Sequence, residues 1–122
     1  NYTGYMSMLT HKNVINLETY RVKIDGKKSK VFTGRDRGLA VRQQSNIDTL
    51  EEQCDTIHII IPKDVYSINP SFFEELFVNV IRKLGKDGFL KKFQFTSEGS
   101  YKYEKPLTEA IERVLRANNA LQ

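Results

Sequence analysis

The sequence has few of the residues on which metal and disulfide chemistry depend. Of its 122 residues, one is a cysteine, Cys54, and two are histidines, His11 and His58. A single cysteine cannot form an intrachain disulfide, and such a chain suits a reducing compartment. One cysteine and two distant histidines are too few ligands for a zinc site. We therefore expect a cytoplasmic protein without a metal.

Long hydrophobic runs are also absent. No stretch approaches the roughly 20 apolar residues that a transmembrane helix needs. The first residues, Asn-Tyr-Thr-Gly-Tyr-Met, have neither the charged region nor the apolar region of a signal peptide. We expect no export and no membrane partner. Residues 1–12 lack periodicity and are predicted to be poorly ordered, as is a C-terminal tail over 118–122.

Groups that could perform catalysis are sparse. His58 lies within an apolar run, where a core or cross-strand histidine is the usual occupant. Glu74 and Glu75 are adjacent on a predicted helix and point in different directions. Cys54 has no neighbouring base. We expect a non-enzymatic protein without a cofactor.

The pattern from residue 57 onward predicts a strand, a helix and a second strand. Residues 57–61 (Ile-His-Ile-Ile-Ile) indicate a strand covered on both faces. Apolar residues recur at helical spacing over 70–84, and Gly85 is placed to end that helix. Residues 92–96 alternate as a strand after a return over 88–90. The two strands should be parallel. A last helix opens at Pro106 and fades at Asn118.

The first third of the chain is basic. Residues 1–45 hold nine Lys or Arg and three Asp or Glu, a net +6, whereas residues 46–122 hold ten and twelve, a net −2. A short strand is predicted at 14–17, and the dipeptide Asp-Gly at 25–26 predicts a hairpin across 20–33. Its basic face would consist of Arg21, Lys23, Lys28 and Lys30. The fold class is therefore α/β, bordering on α+β: one small domain over 13–117 with a βαβ core, a mixed sheet and helices packed against it.

Two glycines, Gly34 and Gly38, bracket a pair of arginines at a predicted helix start. Helix N-termini favour anions, so Arg35, Arg37 and Arg42 are candidates for binding a phosphate or carboxylate. The structural alternative is that these arginines pair with nearby acids. The candidate acids are Asp36, Asp48 and Glu51.

The turn before the central helix offers polar groups at a helix N-terminus. Ser71 and Glu74 have the spacing of a capping box, and Asn69 before Pro70 is a competing N-cap. Phe72 lies off the apolar stripe of the helix. It is therefore either exposed to a partner or packed beneath the loop over 65–68.

Residues 67–77 (Ser-Ile-Asn-Pro-Ser-Phe-Phe-Glu-Glu-Leu-Phe) resemble the strand-to-helix turn of the STAS-like proteins, a bacterial family similar to STAS domains. Residues 32–38 resemble the family's Gly-Arg-acid-Arg-Gly segment. Residues 57–95 are similar to its strand–helix–strand core, and 107–116 to its last helix. The resemblance covers about residues 13–117 and implies a STAS-like domain.

STAS-domain anti-sigma factor antagonists bind a GHKL-type kinase, which phosphorylates a serine at this helix start and so breaks the complex. The resemblance therefore implies a regulatory protein-interaction module whose partner is a GHKL-type ATPase. The family's phosphorylated serine falls near Pro70 and the next serine on Ser71, so Ser71 is the candidate for modification. Glu74 and Glu75 would repel a phosphate there.

We expect the partner to bind at the turn over 64–77. The predicted contact residues are Ser67, Asn69, Ser71 and Phe72. The alternative is an anion- or nucleic-acid-binding module that uses the basic hairpin and the arginine loop over 34–38. Nucleic-acid binding would weaken steeply with salt.

Overall fold

The computed structural model describes residues 13–120, so the predictions for residues 1–12, 121 and 122 lie outside the described part. It is a mixed α/β fold, as the sequence predicted. The elements are β1 (Val14–Asn16), a 3-10 helix (Leu17–Tyr20), β2 (Lys23–Ile24), β3 (Lys27–Lys28), β4 (Val31–Phe32), α1 (Arg35–Ser45), α2 (Ile47–Gln53), β5 (Ile57–Ile61), β6 (Ser67–Ile68), α3 (Pro70–Lys92), β7 (Phe93–Ser97) and α4 (Glu104–Ala120).

The main sheet has three strands in the order β1-β5-β7, all parallel. Strand β5 lies in the centre and pairs Ile59 with Ile15 on one side and with Phe95 on the other. The parallel pairing of β5 and β7, joined through α3, confirms the predicted βαβ unit. From the carboxyl end of β5 the chain passes directly into the segment that precedes α3.

Among the described residues, only one face of this sheet is covered. Ile57, Ile59 and Ile61 are fully buried, whereas His58, between them, is exposed. On the uncovered face His58 is flanked by Val14, 38% exposed, and by Gln94. The prediction that β5 is covered on both faces is therefore wrong for the described residues, and His58 is not a core histidine. The sequence did not reveal the open face because Ile60, which lies on it, is apolar like the buried isoleucines of β5.

Helix α3 contributes more buried residues to the core than any other described element. Phe73 and Phe77 stack at 5.8 Å between ring centroids, and Phe77 meets the edges of Phe89 and Phe93 at 5.1 and 5.8 Å. Gly85 has φ 74° and ψ 175°, so the first helical segment ends where it was predicted to end. A second segment over 86–92 replaces the predicted return, because buried Phe89 extends the apolar face.

Two helices pack on α3. Helix α1 crosses it at Gly38, where an added Cβ would lie 2.6 Å from the carbonyl oxygen of Phe72. Helix α4 contributes a buried stripe and continues to Ala120, beyond the predicted fade at Asn118. The buried residues of this stripe are Leu107, Ala110, Ile111 and Val114. None of the helices within residues 13–120 combines the length and apolarity that crossing a bilayer requires.

Helix α2 is tied to α3 by a buried carboxylate. Glu51 is 4% exposed and receives Lys83 at 2.7 Å and Lys92 at 2.8 Å. Burial acts to raise the pKa of Glu51, but the hydrogen bonds from the two lysines outweigh it, so this pKa lies below its ordinary value. The carboxylate therefore stays charged in the folded protein at neutral pH.

Two small sheets complete the fold. Strands β2 and β3 form an antiparallel hairpin in which Asp25 and Gly26 both have positive φ, as a type I′ turn requires. Strand β4 pairs in parallel with β6, with Phe32 opposite Ile68. The strand pairing of the hairpin is therefore confined to 23–28, whereas the predicted hairpin ran over 20–33. Residues 31–32 instead pair with the segment that leads into α3.

Candidate functional site

The arginine loop and the strand-to-helix turn, which the sequence offered as separate sites, form one surface. The β4–β6 pairing continues through a hydrogen bond from the Asn69 N–H to the Phe32 carbonyl at 2.9 Å. Residues 33–37 therefore lie beside residues 66–71 at one edge of the domain. We call these two segments together the rim.

The start of α3 is fixed by Asn69. Its Oδ1 accepts hydrogen bonds from the Ser71 N–H at 2.9 Å and from the Ser71 hydroxyl at 2.8 Å, and Pro70 occupies the first turn. Asn69 is thus the N-cap, and the capping box of Ser71 with Glu74 does not form. Ser67 and Asn69 are exposed and Ser71 is half-buried.

Phe72 does not belong to the accessible surface. It is fully buried, with its ring centroid 5.0 Å from that of Phe32 and 6.0 Å from that of Phe73. Helix α1 and strand β4 widen the covered face of α3 beyond the stripe that the sequence indicated. The prediction of Phe72 as a partner contact is therefore wrong. Its neighbours show that it is a core residue beneath the rim.

Two of the three candidate arginines are engaged by acids of α3. Arg35 lies 3.1 Å from Glu74 and Arg42 lies 2.9 Å from Glu75. Neither arginine pairs with the acids expected from the sequence, because the crossing of α1 over α3 brings distant residues together. Glu74 and Glu75 are thus partly neutralised, which weakens the repulsion they would exert on a phosphate at Ser71.

Arg37 differs from the other two arginines. It forms no ion pair within residues 13–120, and its buried Nε has no hydrogen-bond partner there. It borders an open depression of about 560 Å³ whose lining is formed by residues 33–37. Gly34, at the N-terminus of α1, provides no side-chain cap. The Nε of Arg42 also lacks a hydrogen-bond partner among the described residues, but Arg42 is held by Glu75, so Arg37 is the predicted anion ligand whose guanidinium is not engaged by an acid there.

Sequence reasoning missed Tyr66. This residue is 68% exposed, and its N–H donates to the Lys30 carbonyl at 3.0 Å, which fixes the backbone on which the ring stands. A signal was present, because Tyr66 is an aromatic residue in the loop that leaves a buried strand. The rim thus carries an exposed aromatic side chain beside Ser67 and Asn69.

Sequence reasoning also missed the role of Arg21, which it assigned to a basic surface. The Arg21 side chain is 3% exposed and binds Asp64 at 2.6 and 3.0 Å, Glu18 at 3.0 Å and the Ser29 carbonyl. The hydrogen bond from Arg21 lowers the pKa of Asp64. Hydrogen bonds from Lys28, which has the larger effect, and from Arg21 lower the pKa of Glu18. Asp64 is held as a carboxylate and is not suited to act as a general acid.

The described residues contain no group of three or more His, Cys, Asp or Glu that could hold a metal ion. Cys54 is half-buried after α2, and His58 lies on the open sheet face. The rim combines hydroxyls, an amide, a phenol, two guanidinium groups and the carboxylate of Asp36. This set suits recognition by hydrogen bonding and aromatic contact.

No family model, no curated protein and no solved structure matches the chain. The likeness of residues 13–117 to the STAS-like family is therefore an expectation that these comparisons do not test.

Proposed function

We propose that the chain is a non-enzymatic, cytoplasmic interaction module that binds a protein partner through the rim. The observation that carries this proposal is the exposed Tyr66 on a backbone fixed by Lys30. Tyrosine and arginine are enriched among the residues that dominate binding energy at protein interfaces. Tyr66 and Arg37 are the anchors, and Ser67, Asn69 and Ser71 surround them.

A GHKL-type ATPase is the partner class that we propose, following the resemblance of residues 67–77. The rim suits such a partner because its polar groups rest on buried Phe32 and Phe72 and need little reorganisation on binding. Phe72 acts as support for the surface and not as a contact.

We further propose that a phosphate on Ser71 would end the interaction. The Ser71 hydroxyl is bonded to Asn69 at 2.8 Å, so a phosphate would break that bond and add roughly two negative charges to the rim. The N-terminus of α3 and the nearby Arg35 would stabilise the phosphate. A partner that binds the neutral hydroxyl would no longer bind the phosphorylated rim.

The test is a titration of the chain with a purified GHKL-type ATPase. Tyr66→Ala and Arg37→Ala should each weaken binding by roughly thirtyfold, the loss typical of a dominant interface residue. Lys86→Ala, at an exposed position beyond Gly85, is the matched control and should bind normally. Unchanged affinity in both rim variants would refute the proposal.

Modification is tested separately by the intact mass of the chain after incubation with that ATPase and ATP. A gain of one phosphate that Ser71→Ala abolishes supports the switch. An unchanged mass counts against it without touching the docking proposal, which Tyr66→Ala and Arg37→Ala test.

Anion or nucleic-acid binding at the rim is the second candidate, favoured by the unpaired Nε of Arg37. It predicts an affinity for oligonucleotides that falls steeply as salt rises. Docking through Tyr66 would depend much less on salt. Loss of oligonucleotide binding in Arg37→Ala, but not in Tyr66→Ala, would favour this candidate.

A further inference from the structure

Residues 21–30, which comprise the β2–β3 hairpin and its base, leave both of their aliphatic side chains exposed within the described part of the chain. Ile24 is 63% exposed and Val22 is 38% exposed, although both are aliphatic. Residues 22–28 are all exposed. Exposed aliphatic side chains at the end of a hairpin are unfavourable in water, so this arrangement calls for a specific explanation.

The hairpin is nevertheless rigidly held. Its turn is a type I′ turn, the Ser29 N–H donates to the Val22 carbonyl at 2.7 Å, and Arg21 fastens its base to Asp64. A two-stranded hairpin alone is marginally stable, and this one depends on that buried guanidinium. The hairpin is therefore a fixed structure.

Lysines lie on both faces of the hairpin, because Lys23 is the cross-strand neighbour of Lys28. Arg21 and Lys28 are on the face turned toward the domain, where Glu18 neutralises Lys28. The opposite face carries Ile24 with Lys27 as its cross-strand neighbour. Lys23 and Lys27 form no ion pair within residues 13–120. Ile24 thus lies beside one free cation, Lys27, on the outward face, and a second free cation, Lys23, lies near the same end of the hairpin on its other face.

We propose that this hairpin contacts the surface of a membrane that contains anionic lipids, with Ile24 entering the headgroup region and Lys23 and Lys27 lying against the lipid phosphates. The partner must be both apolar and anionic, and a bilayer surface offers these two chemistries side by side. An exposed hairpin also suits a soft surface, which needs no preformed groove.

Nucleic acid fits this surface less well. Its backbone would satisfy the lysines, but binding to single strands draws on aromatic stacking and arginine, whereas the tip of the hairpin is aliphatic. The expectation of no membrane partner rests on the lack of an apolar segment long enough to cross the bilayer. A peripheral contact requires no such segment.

Sedimentation of the full chain with vesicles tests the proposal. We expect binding to vesicles of phosphatidylcholine that contain phosphatidylserine, and none to phosphatidylcholine alone. Ile24→Ser should weaken binding about tenfold. Lys23→Gln and Lys27→Gln should each weaken it about fivefold. Raised salt should weaken binding further.

Matched controls are available elsewhere on the surface. Leu90→Ser removes a comparable exposed aliphatic side chain, 40% exposed, and Lys105→Gln removes an exposed lysine. Both should bind vesicles like the wild type. Every changed side chain is exposed, so each variant should keep the fold. Thermal melting of each variant checks this.

Three outcomes would overturn the proposal. The wild type fails to sediment with the phosphatidylserine vesicles, or the controls weaken binding as much as the hairpin variants do. The third is that the chain binds a single-stranded oligonucleotide through Lys23 and Lys27 with no effect of Ile24→Ser, and vesicles do not compete. None of these results bears on docking at the rim.

Discussion

The turn over 66–71 and the hairpin over 21–30 both present exposed side chains, but they are held in place by different forces. Beneath the turn lie Phe72 and Phe73, both fully buried. Beneath the hairpin lies one charged group, Arg21, with its bonds to Asp64 and Glu18. A surface held in place by apolar packing depends little on pH or salt, whereas a surface held by ion pairs depends on both. The two surfaces should therefore respond differently to the same perturbation.

Removing the packing under the turn should have the largest effect. Phe72→Ala leaves a cavity beside Phe32 and should lower the free energy of unfolding by about 3–5 kcal/mol. Denaturant unfolding measures this loss. Leu39→Ala, at a partly exposed position of α1, should cost less than about 0.5 kcal/mol. Equal costs would show that the turn does not rest on Phe72.

The crossing of α1 over α3 should come second. In Gly38→Ala the new Cβ would meet a backbone oxygen at 2.6 Å, so the helices must separate, at a cost of about 1–3 kcal/mol. Gly88→Ala, where the nearest atom is a side-chain carbon at 3.3 Å, should cost under about 0.5 kcal/mol. The difference in unfolding free energy between the variants is the measurement.

Loss of the charged anchor should loosen the hairpin and spare the turn. In Arg21→Met, amide exchange at Ser29 should accelerate about tenfold, because that N–H closes the hairpin onto Val22. Exchange at Phe72 should stay unchanged. Hydrogen exchange followed by NMR resolves both amides. Faster exchange at both sites to the same degree would remove the distinction between the two surfaces.

Acid should reproduce part of that effect. The pKa values of Asp64 and Glu18 are lowered in the folded protein, so their ion pairs stabilise it at neutral pH. That stabilisation begins to fade below the ordinary values of 3.8 and 4.5 and is lost as pH falls through the folded values. Amide shifts of the hairpin should move in this window before those of α3. Arg21→Met should lose the part of the transition due to Asp64 and keep the part that Lys28 imposes on Glu18.

The cap of α3 should give the smallest effect. Asn69→Ala removes the acceptor of the Ser71 N–H and should cost about 1 kcal/mol of unfolding free energy. Asn69→Ser keeps a capping oxygen and should restore most of it. A melting temperature that distinguishes neither variant from the wild type would mean that Pro70 and the buried phenylalanines fix this turn without the cap.

Local patterns in the sequence predicted the elements that depend on neighbouring residues. The Asp25–Gly26 turn, the β-branched run of β5 and the periodicity of α3 each specify their own backbone. The burial of Phe72 did not follow, because it depends on α1 packing at Gly38, far away in sequence. The acids predicted to pair with Arg35 and Arg42 were wrong for the same reason.

The sequence indicated both segments of the candidate site, but it offered the buried Phe72 as a contact and omitted the exposed Tyr66. The turn and the arginine loop were both identified, yet their adjacency depends on the pairing of β4 with β6, two strands of two residues each. Strands this short leave almost no periodic signal. Tyr66 and Phe72 illustrate the limit, because both are aromatic residues near the helix start and only the tertiary fold separates the exposed ring from the buried one.

The break at Gly85 restricts how this chain can change in length. The segment over 86–92 passes into β7 with no loop between them, since Phe93 both caps the helix and begins the strand. One inserted residue after Gly85 would turn the following segment by about 100°. The side chains of β7 would then face the wrong side of the sheet. Natural insertions and engineered fusions should therefore be tolerated at the 25–26 turn and be excluded between Gly85 and Phe93.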